Sequence, residues 1–143
     1  NISHYKIVAI GKIKKKWIQE GLDMYLKRLP GLEVIELKDN TQKKEEHTIK
    51  GIISKNELLV TLNERGQSFT SKQLATKLLS SHNQKITFVI GGASGLSPSI
   101  DRCATWQLSL SPFTFPHEIA RLLLVEQLYR AKTITQGSPY HKE

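Results

Sequence analysis

The chain has 143 residues, 38% of them hydrophobic, and carries 21 Lys and Arg against 13 Asp and Glu, a formal net charge of +8. That length buries one core with little room for a second, so residues 1-143 read as a single domain. A lone cysteine, Cys103, excludes an internal disulfide and suits a reducing cytoplasm; no apolar run approaches the roughly 20 residues that cross a bilayer, and no uninterrupted signal-like core opens the chain, so a soluble cytoplasmic protein with no membrane partner is expected.

His4 to Ile10 is a short β-branched run ended by Gly11, and from Trp17 to Leu29 the residues Ile18, Leu22, Tyr25 and Leu29 share one helical face. Leu32 to Leu37 reads as a second strand, and Thr41 to Lys55 as a polar helix whose apolar side is Ile49, Ile52 and Ile53. Glu57 to Leu62 is a third strand. Thr70 and Gln73 have the spacing of a capping box and open a helix with Leu74, Ala75, Leu78 and Leu79 paired at four-residue spacing. Ile86 to Ile90 is apolar throughout, as in a strand covered on both faces. Trp106 to Leu110 is a fifth strand and Pro116 to Lys132 the closing helix. Strands alternating with helices predict an α/β fold, a parallel-rich sheet flanked by helices. In the closing helix Ile119, Leu122, Leu123, Leu124, Val125, Leu128 and Tyr129 form an apolar surface wider than one stripe, which predicts cover on more than one side; a second protomer, and hence a homodimer, is the expected cover, with deep burial inside one chain as the alternative.

The positive charge favours a polyanionic partner, with nucleic acid foremost. Two basic stretches stand out, Lys12, Lys14, Lys15 and Lys16, and Lys43, Lys44, Lys50 and Lys55; a solvated lysine face is the plain alternative for each. Gly91, Gly92 and Gly95 directly follow the apolar strand, where glycine lets the backbone turn and approach a ligand. A simple strand-to-helix turn has the same composition, and neither a G-x-G-x-x-G fingerprint nor a P-loop is present. Ser109, Ser111 and Thr114 with Pro112 and Pro116 make a stiff hydroxyl-bearing loop suited to hold a heteroaromatic ring. Pro116 fits a first helical turn, and Glu118 the helix dipole. There is no G-x-S-x-G elbow. Arg121 and Arg130 fall on the polar side of the closing helix, with Glu126 four residues before Arg130 as a salt-bridge partner. The tail Ser138-Pro139-Tyr140-His141 has a composition rare in disordered ends and is expected to dock, with the His141 imidazole suited to proton transfer near neutral pH; a frayed tail is the alternative. His4, His47, His82, His117 and His141 lack ligand-like spacing, so no metal site is expected.

The residues F-V-I-G-G-x-x-G-L-S from Phe88, L-S-x-S-x-x-T-F-P-H from Leu108, R-x-x-L-x-E-Q-L-Y-R-A from Arg121 and the terminal P-Y-H-K-E carry a resemblance. The chain resembles the ribosomal RNA large subunit methyltransferase H family, SPOUT-class enzymes that methylate N3 of a pseudouridine in large-subunit rRNA with S-adenosylmethionine as methyl donor. The resemblance spans essentially the whole chain and is most specific from Phe88 to Glu143. It implies a SPOUT-like single domain with a C-terminal trefoil knot, against the general rule that chains are unknotted. It places the cofactor at Leu62, at Gly91 in the turn with Gly92 and Gly95, and along Leu110, Ser111, Pro112, Phe113, Thr114 and Phe115. Pro112 and Phe113 depart from the family, which more often has a variable residue followed by Met or Leu. It further implies a homodimer in which the tail of one protomer, with Tyr140 and His141, completes the pocket of the other, and large-subunit rRNA in the assembled ribosome as the substrate partner. His141 is then the expected base for the N3 proton, with Arg121 or Arg130 holding phosphate or steadying the developing anion. A basic RNA-binding protein without catalysis is the competing reading, and a small Rossmann-like oxidoreductase is disfavoured by the missing fingerprint.

Overall fold

The computed structural model describes residues 5–81 and 83–142; His4, His82 and Glu143 of the segments above lie outside the described residues. The elements alternate: β1 (Tyr5–Ile10), α1 (Lys16–Leu26), β2 (Glu33–Leu37), α2 (Gln42–Ile52), β3 (Leu58–Ser68), α3 (Ser71–Ser80), β4 (Ile86–Ile90), α4 (Pro98–Cys103), β5 (Trp106–Ser109) and α5 (His117–Thr135). The strands form one sheet in the order β2-β1-β4-β3-β5, and every neighbouring pair is parallel. The parallel α/β architecture expected from the alternation is therefore the architecture found.

Parallel neighbours need crossovers, and the crossover helices cover both faces, which is why the central strands are mostly apolar on both sides, with Lys6, Thr61 and Thr87 as buried polar exceptions. In β1, Ile7 and Ala9 join the larger core with Phe88 and Ile90 of β4, Ile18 and Leu22 of α1, Leu74 and Leu78 of α3, and Leu124 and Leu128 of α5. The alternate residues Val8 and Ile10 face the other way, with Leu59, Val89, Ile49 of α2 and Ile100 of α4. The breadth of the apolar surface on α5 has a source within the chain: the helix packs between α1 and α3 while also meeting β4. Leu124, Val125 and Leu128 are 0–1% exposed in the single chain. Width alone is thus not evidence for a second protomer.

The ends of three helices move by three residues: α1 stops at Leu26 rather than Leu29, α2 at Ile52 rather than Lys55, and α5 runs on to Thr135 rather than Lys132. Two departures are larger. The short helix α4 was not anticipated, although Ser97 accepts a bond from the Ile100 N–H and Pro98 occupies the first turn, a recognisable start signal. Strand β3 runs on past Leu62 to Ser68, because it pairs with β5 twice: Leu62 and Gln67 both stand opposite Leu108. Residues 63–66 are an insertion between those pairings. Gly66 closes it by crossing the backbone of β5, where an added Cβ would lie 2.6 Å from the Gln107 carbonyl oxygen. The capping box is as expected: Thr70 Oγ1 accepts from Gln73 N at 3.1 Å and Gln73 Oε1 accepts from Thr70 N at 2.9 Å. Thr70→Ala breaks the first of these bonds, and urea unfolding should show a loss of about 1 kcal/mol; an unchanged midpoint would show that α3 is held by packing alone.

Candidate active site

The carboxyl ends of the strands meet at one edge of the sheet, the usual ligand edge of such folds. A cleft of about 820 Å³ opens there, within the size range of small-molecule sites. Its walls come from the end of β3 and its insertion (Leu62, Asn63, Glu64, Arg65), the turn after β4 (Gly91, Gly92, Gly95), the loop after β5 (Leu110, Ser111, Phe113, Thr114, Phe115) and the start of α5 (His117, Ala120), with Asp101 of α4. Every residue expected at the cofactor from the sequence lines this cleft except Pro112. Asn63, Glu64, Arg65, Asp101 and His117 were missed, since the insertion and the opening of α5 reach the cleft only through the tertiary fold.

Hydrogen bonds lock two of the walls together. Thr114 Oγ1 donates to the Glu64 carboxylate, and Ser109 Oγ donates to the Glu64 carbonyl at 3.0 Å. Ser111 Oγ accepts from Phe113 N at 3.1 Å, a local turn that leaves the Phe113 ring 76% exposed at the rim. The glycine turn is tight for reasons internal to the protein. A Cβ on Gly91 would lie 2.9 Å from the Leu96 nitrogen, and one on Gly92 would lie 2.9 Å from Asp39 Oδ1 and 3.1 Å from Ile10 Cγ2. A Gly92→Val substitution would therefore collide with Asp39 and Ile10 before it met any ligand. Gly95, with φ 72, supplies the left-handed residue of the turn and has open space around it.

The opening of α5 ties the first basic loop to the cleft. Pro116 is the N-cap rather than a first-turn residue, with ψ 144. The Glu118 side chain accepts from the backbone N–H groups of Lys14 and Lys15 at 3.0 and 3.1 Å, instead of serving only its own helix dipole. Burial pushes the Glu118 carboxyl up, but the two N–H groups outweigh it and leave the pKa below the usual carboxylate range. Lys14, Lys15 and Lys16 are exposed beside this lip, as is Trp17 at 60%. The second basic stretch is partly spent within the fold, since Lys50 Nζ donates to Ser99 Oγ at 2.9 Å and pairs with Glu46 at 3.5 Å.

None of the four expected catalytic side chains lines the cleft of its own chain. Arg121, expected on a polar face, is only 3% exposed: it pairs with Glu36 and donates from Nη2 to the Gly11 carbonyl at 2.9 Å, bracing α5 against the ends of β1 and β2. Arg130 does pair with Glu126 as its spacing implied, Nη2 to Oε2 at 2.6 Å. It lies ten residues beyond Ala120, roughly 15 Å along the helix from the cleft.

The tail is docked, and local chemistry explains how. Gly137, with φ 74, follows the C-cap Gln136; its N–H bonds the Ile134 carbonyl at 3.1 Å and the Ser138 N–H bonds the Thr133 carbonyl at 2.9 Å. This Schellman turn sends the chain back along α5. Tyr140 then packs edge-on against Tyr129 at 4.8 Å, lies under the Arg130 guanidinium at 4.9 Å and donates its hydroxyl to Glu126 Oε2 at 2.9 Å. With that proton committed, the Tyr25 hydroxyl at 3.3 Å is the donor to Tyr140. Burial, then the bonds to Tyr25 and Glu126, push the Tyr140 phenol well above its ordinary pKa. His141 Nδ1 lies 3.0 Å from Arg130 Nη1. Side chains able to accept a proton also line the cleft itself, His117, Glu64 and Asp101.

The sign of the Glu118 shift sets a pH dependence. A carboxyl depressed on folding adds stability above its unfolded pKa, about 4.3, and loses it as pH falls through the lower folded value. Glu118→Gln should therefore be less stable at neutral pH and decline less steeply with acid than the parent. Glu46 and Glu57, also depressed, keep some acid sensitivity in both. Urea midpoints from pH 7 down to about pH 3 measure the difference, and parallel curves would show that Glu118 gains nothing from the two N–H groups.

With this geometry in place, the relatives can be set beside it. The family model described as a predicted SPOUT methyltransferase matches residues 4–141. A protein of Prochlorococcus marinus strain NATL2A named ribosomal RNA large subunit methyltransferase H is 85% identical over 143 residues, covering 100% of this chain and 99% of that one. A protein of the same name from Synechococcus sp. strain CC9311 is 50% identical over 142 residues, covering 99% of both. Among solved structures, a probable methylase family protein from Haemophilus influenzae Rd KW20 superposes with a TM-score of 0.63 at 14% identity, over 100% of this chain and 72% of that one. The SpoU methyltransferase AviRb from Streptomyces viridochromogenes, in complex with AdoMet, gives 0.51 at 10% identity, over 89% and 57%. These two likenesses concern the fold alone. The full-length match to the family model and the high identity to its members show that the chain belongs to the SPOUT methyltransferase family.

Proposed function

We propose that the protein transfers a methyl group from S-adenosylmethionine to large-subunit ribosomal RNA, at N3 of a pseudouridine, and that it does so as a homodimer of single domains, residues 1-143, each with a C-terminal trefoil knot. The observation that carries this reading is the division of the site. One end of α5 borders a cleft that fits the cofactor, and the other end holds an ordered Tyr140–His141 tail too far away to serve that cleft. A second copy brings the two halves together.

The cleft suits the donor chemically. Leu62, Leu108 and Leu110 offer an apolar seat for the adenine, and Phe113 stands exposed at the rim to cover it. Asp101 Oδ1 is buried in the wall with no hydrogen-bond partner among the described residues. Such an orphaned acceptor matches the ammonium or a ribose hydroxyl of the cofactor. Bound there, S-adenosylmethionine supplies the electrophilic methyl group. The residues of this chain hold it, exclude water and align the nucleophile, and positioning of that kind accounts for much of the acceleration in transfer reactions. No group of three or more metal-ligating side chains occurs among the described residues. For the substrate, the Lys14–Lys16 lip and the exposed Trp17 lie next to the cleft, where cations meet phosphates. The large-subunit RNA in the names of the relatives is the matching polyanion. The setting is the cytoplasm, and the assembled ribosome the natural form of the RNA.

Calorimetry should show S-adenosylmethionine binding at one site per chain, lost in a folded Leu110→Asp variant, and light scattering should report a dimer of the 16.2 kDa chain. Mixing Leu110→Asp with His141→Ala should restore rRNA methylation that neither has alone, because a mixed dimer contains one intact site. Absent complementation would refute the shared site, and absent cofactor binding would leave RNA binding without catalysis as the reading.

RNA affinity should fall steeply with salt. Replacing Lys14, Lys15 and Lys16 by Ala should flatten the logarithmic salt slope by about 0.7 to 0.9 for each phosphate that these lysines neutralise. An unchanged slope would return the cluster to a solvated face.

A further inference from the structure

A guanidinium has N–H groups and no lone pair to offer, so it is the donor in any hydrogen bond it makes. Arg130 Nη1 lies 3.0 Å from His141 Nδ1, and that nitrogen must therefore accept. The single proton of the neutral ring is then on Nε2. The guanidinium cannot readily turn away, because Nε and Nη2 both donate to Glu126 Oε2, at 3.1 and 2.6 Å. The same carboxylate oxygen takes the Tyr140 hydroxyl at 2.9 Å, so one acidic residue fixes the arginine and the neighbouring tail residue together. The hydrogen bond that Arg130 donates to Glu126 also raises the Arg130 pKa, which keeps the guanidinium charged throughout the working pH range. The charged and titratable groups facing the ring are Arg130 and Glu126 of α5, Tyr140 of the tail and, through Tyr140, Tyr25 of α1. A proton on Nδ1 would set an N–H against the guanidinium N–H that faces it.

We infer that His141 works as a hydrogen-bond donor through Nε2–H, aimed at a carbonyl oxygen of the pyrimidine ring in the partner's cleft, and not as the base that removes the N3 proton. Arg130 is a positioning residue that sets the tautomer. The inference rests on the methyl-transfer reading above and replaces the role that the sequence suggested for this histidine. In the reaction, the N3 proton passes to solvent hydroxide and forms water, leaving a ring anion shared between N3 and its flanking carbonyl oxygens. Nε2–H of His141 holds one of those oxygens. The N3 lone pair forms the bond to the methyl carbon as the carbon–sulfur bond breaks, and that electron pair returns to sulfur to give the neutral thioether.

The tautomer can be read without turnover. In protein labelled with ¹⁵N-histidine, long-range proton–nitrogen correlation should show His141, assigned by its loss in His141→Ala, with a protonated Nε2 and an unprotonated Nδ1 at neutral pH. An Nδ1–H tautomer, or a ring protonated on both nitrogens, would overturn the inference. In single-turnover methylation, His141→Ala should lose roughly 100-fold or more, as expected for one oxyanion donor. His141→Gln, whose amide can still donate, should recover most of that loss and keep the pH profile of the parent, rising in parallel with hydroxide. A glutamine variant as poor as alanine, or a neutral-pH inflection present in the parent and absent from His141→Gln, would make His141 the base after all. Cofactor calorimetry on the same samples separates these outcomes from failure of the methyl-transfer reading, which would appear as absent S-adenosylmethionine binding.

Discussion

Parallel strand pairing is the constraint from which the rest of the molecule follows. Every neighbouring pair in the sheet is parallel, so the chain returns to the same edge after each strand and needs a crossover each time. The crossovers put helices over both faces and leave β1 and β4 dry, with Ile7, Val8, Phe88 and Val89 at 0% exposure. They also bring the carboxyl ends of the strands together, where loops rather than side-chain layers fill the space. A cleft at that edge is thus a consequence of topology. What the local sequence adds is the chemistry of its walls.

Those walls depend on close backbone approaches. Gly66 crosses the Gln107 carbonyl, and Gly91 packs on the backbone of Gly95 and Leu96, at distances that exclude a side chain. The glycines therefore shape the cleft by letting main chain meet main chain, and their influence on any ligand passes through the fold. Glu64 has a comparable role, tied by both its carboxylate and its carbonyl to the loop after β5. Glu118 joins the basic loop to the opening of α5 in the same manner.

Helix α5 sets the separation between the two halves of the proposed site. Its first turn borders the cleft, Leu124, Val125 and Leu128 at its middle are buried in the larger core, and the other side of its second half carries Glu126, Arg130 and the returning tail. A helix of 19 residues is roughly 28 Å long and cannot bring its ends together. The tail is nevertheless ordered before any partner arrives, because Gly137 turns the chain and Glu126 anchors it. Association with a second copy would thus cost little ordering entropy at the tail, an advantage of preorganisation.

Much of this was determined by the sequence alone. Periodicity placed all five strands and the four long helices, the Thr70–Gln73 spacing gave a true capping box, and the motifs around Gly91 and Leu110 marked residues that line the cleft apart from Pro112. These features are local, written in a window of a few residues, and the family motifs are equally contiguous. Only the tertiary structure decided the features that depend on distant neighbours. The doubled pairing of β3 with β5 drew Glu64 and Arg65 into the cleft, and Arg121 was buried because Glu36 and Gly11, far away in sequence, lie beneath it. The apolar breadth of α5 was satisfied by α1 and α3 from the same chain. The neighbour of His141 was likewise decided in space: the turn at Gly137 sends the tail back along α5, and only that return sets Nδ1 3.0 Å from the Arg130 guanidinium.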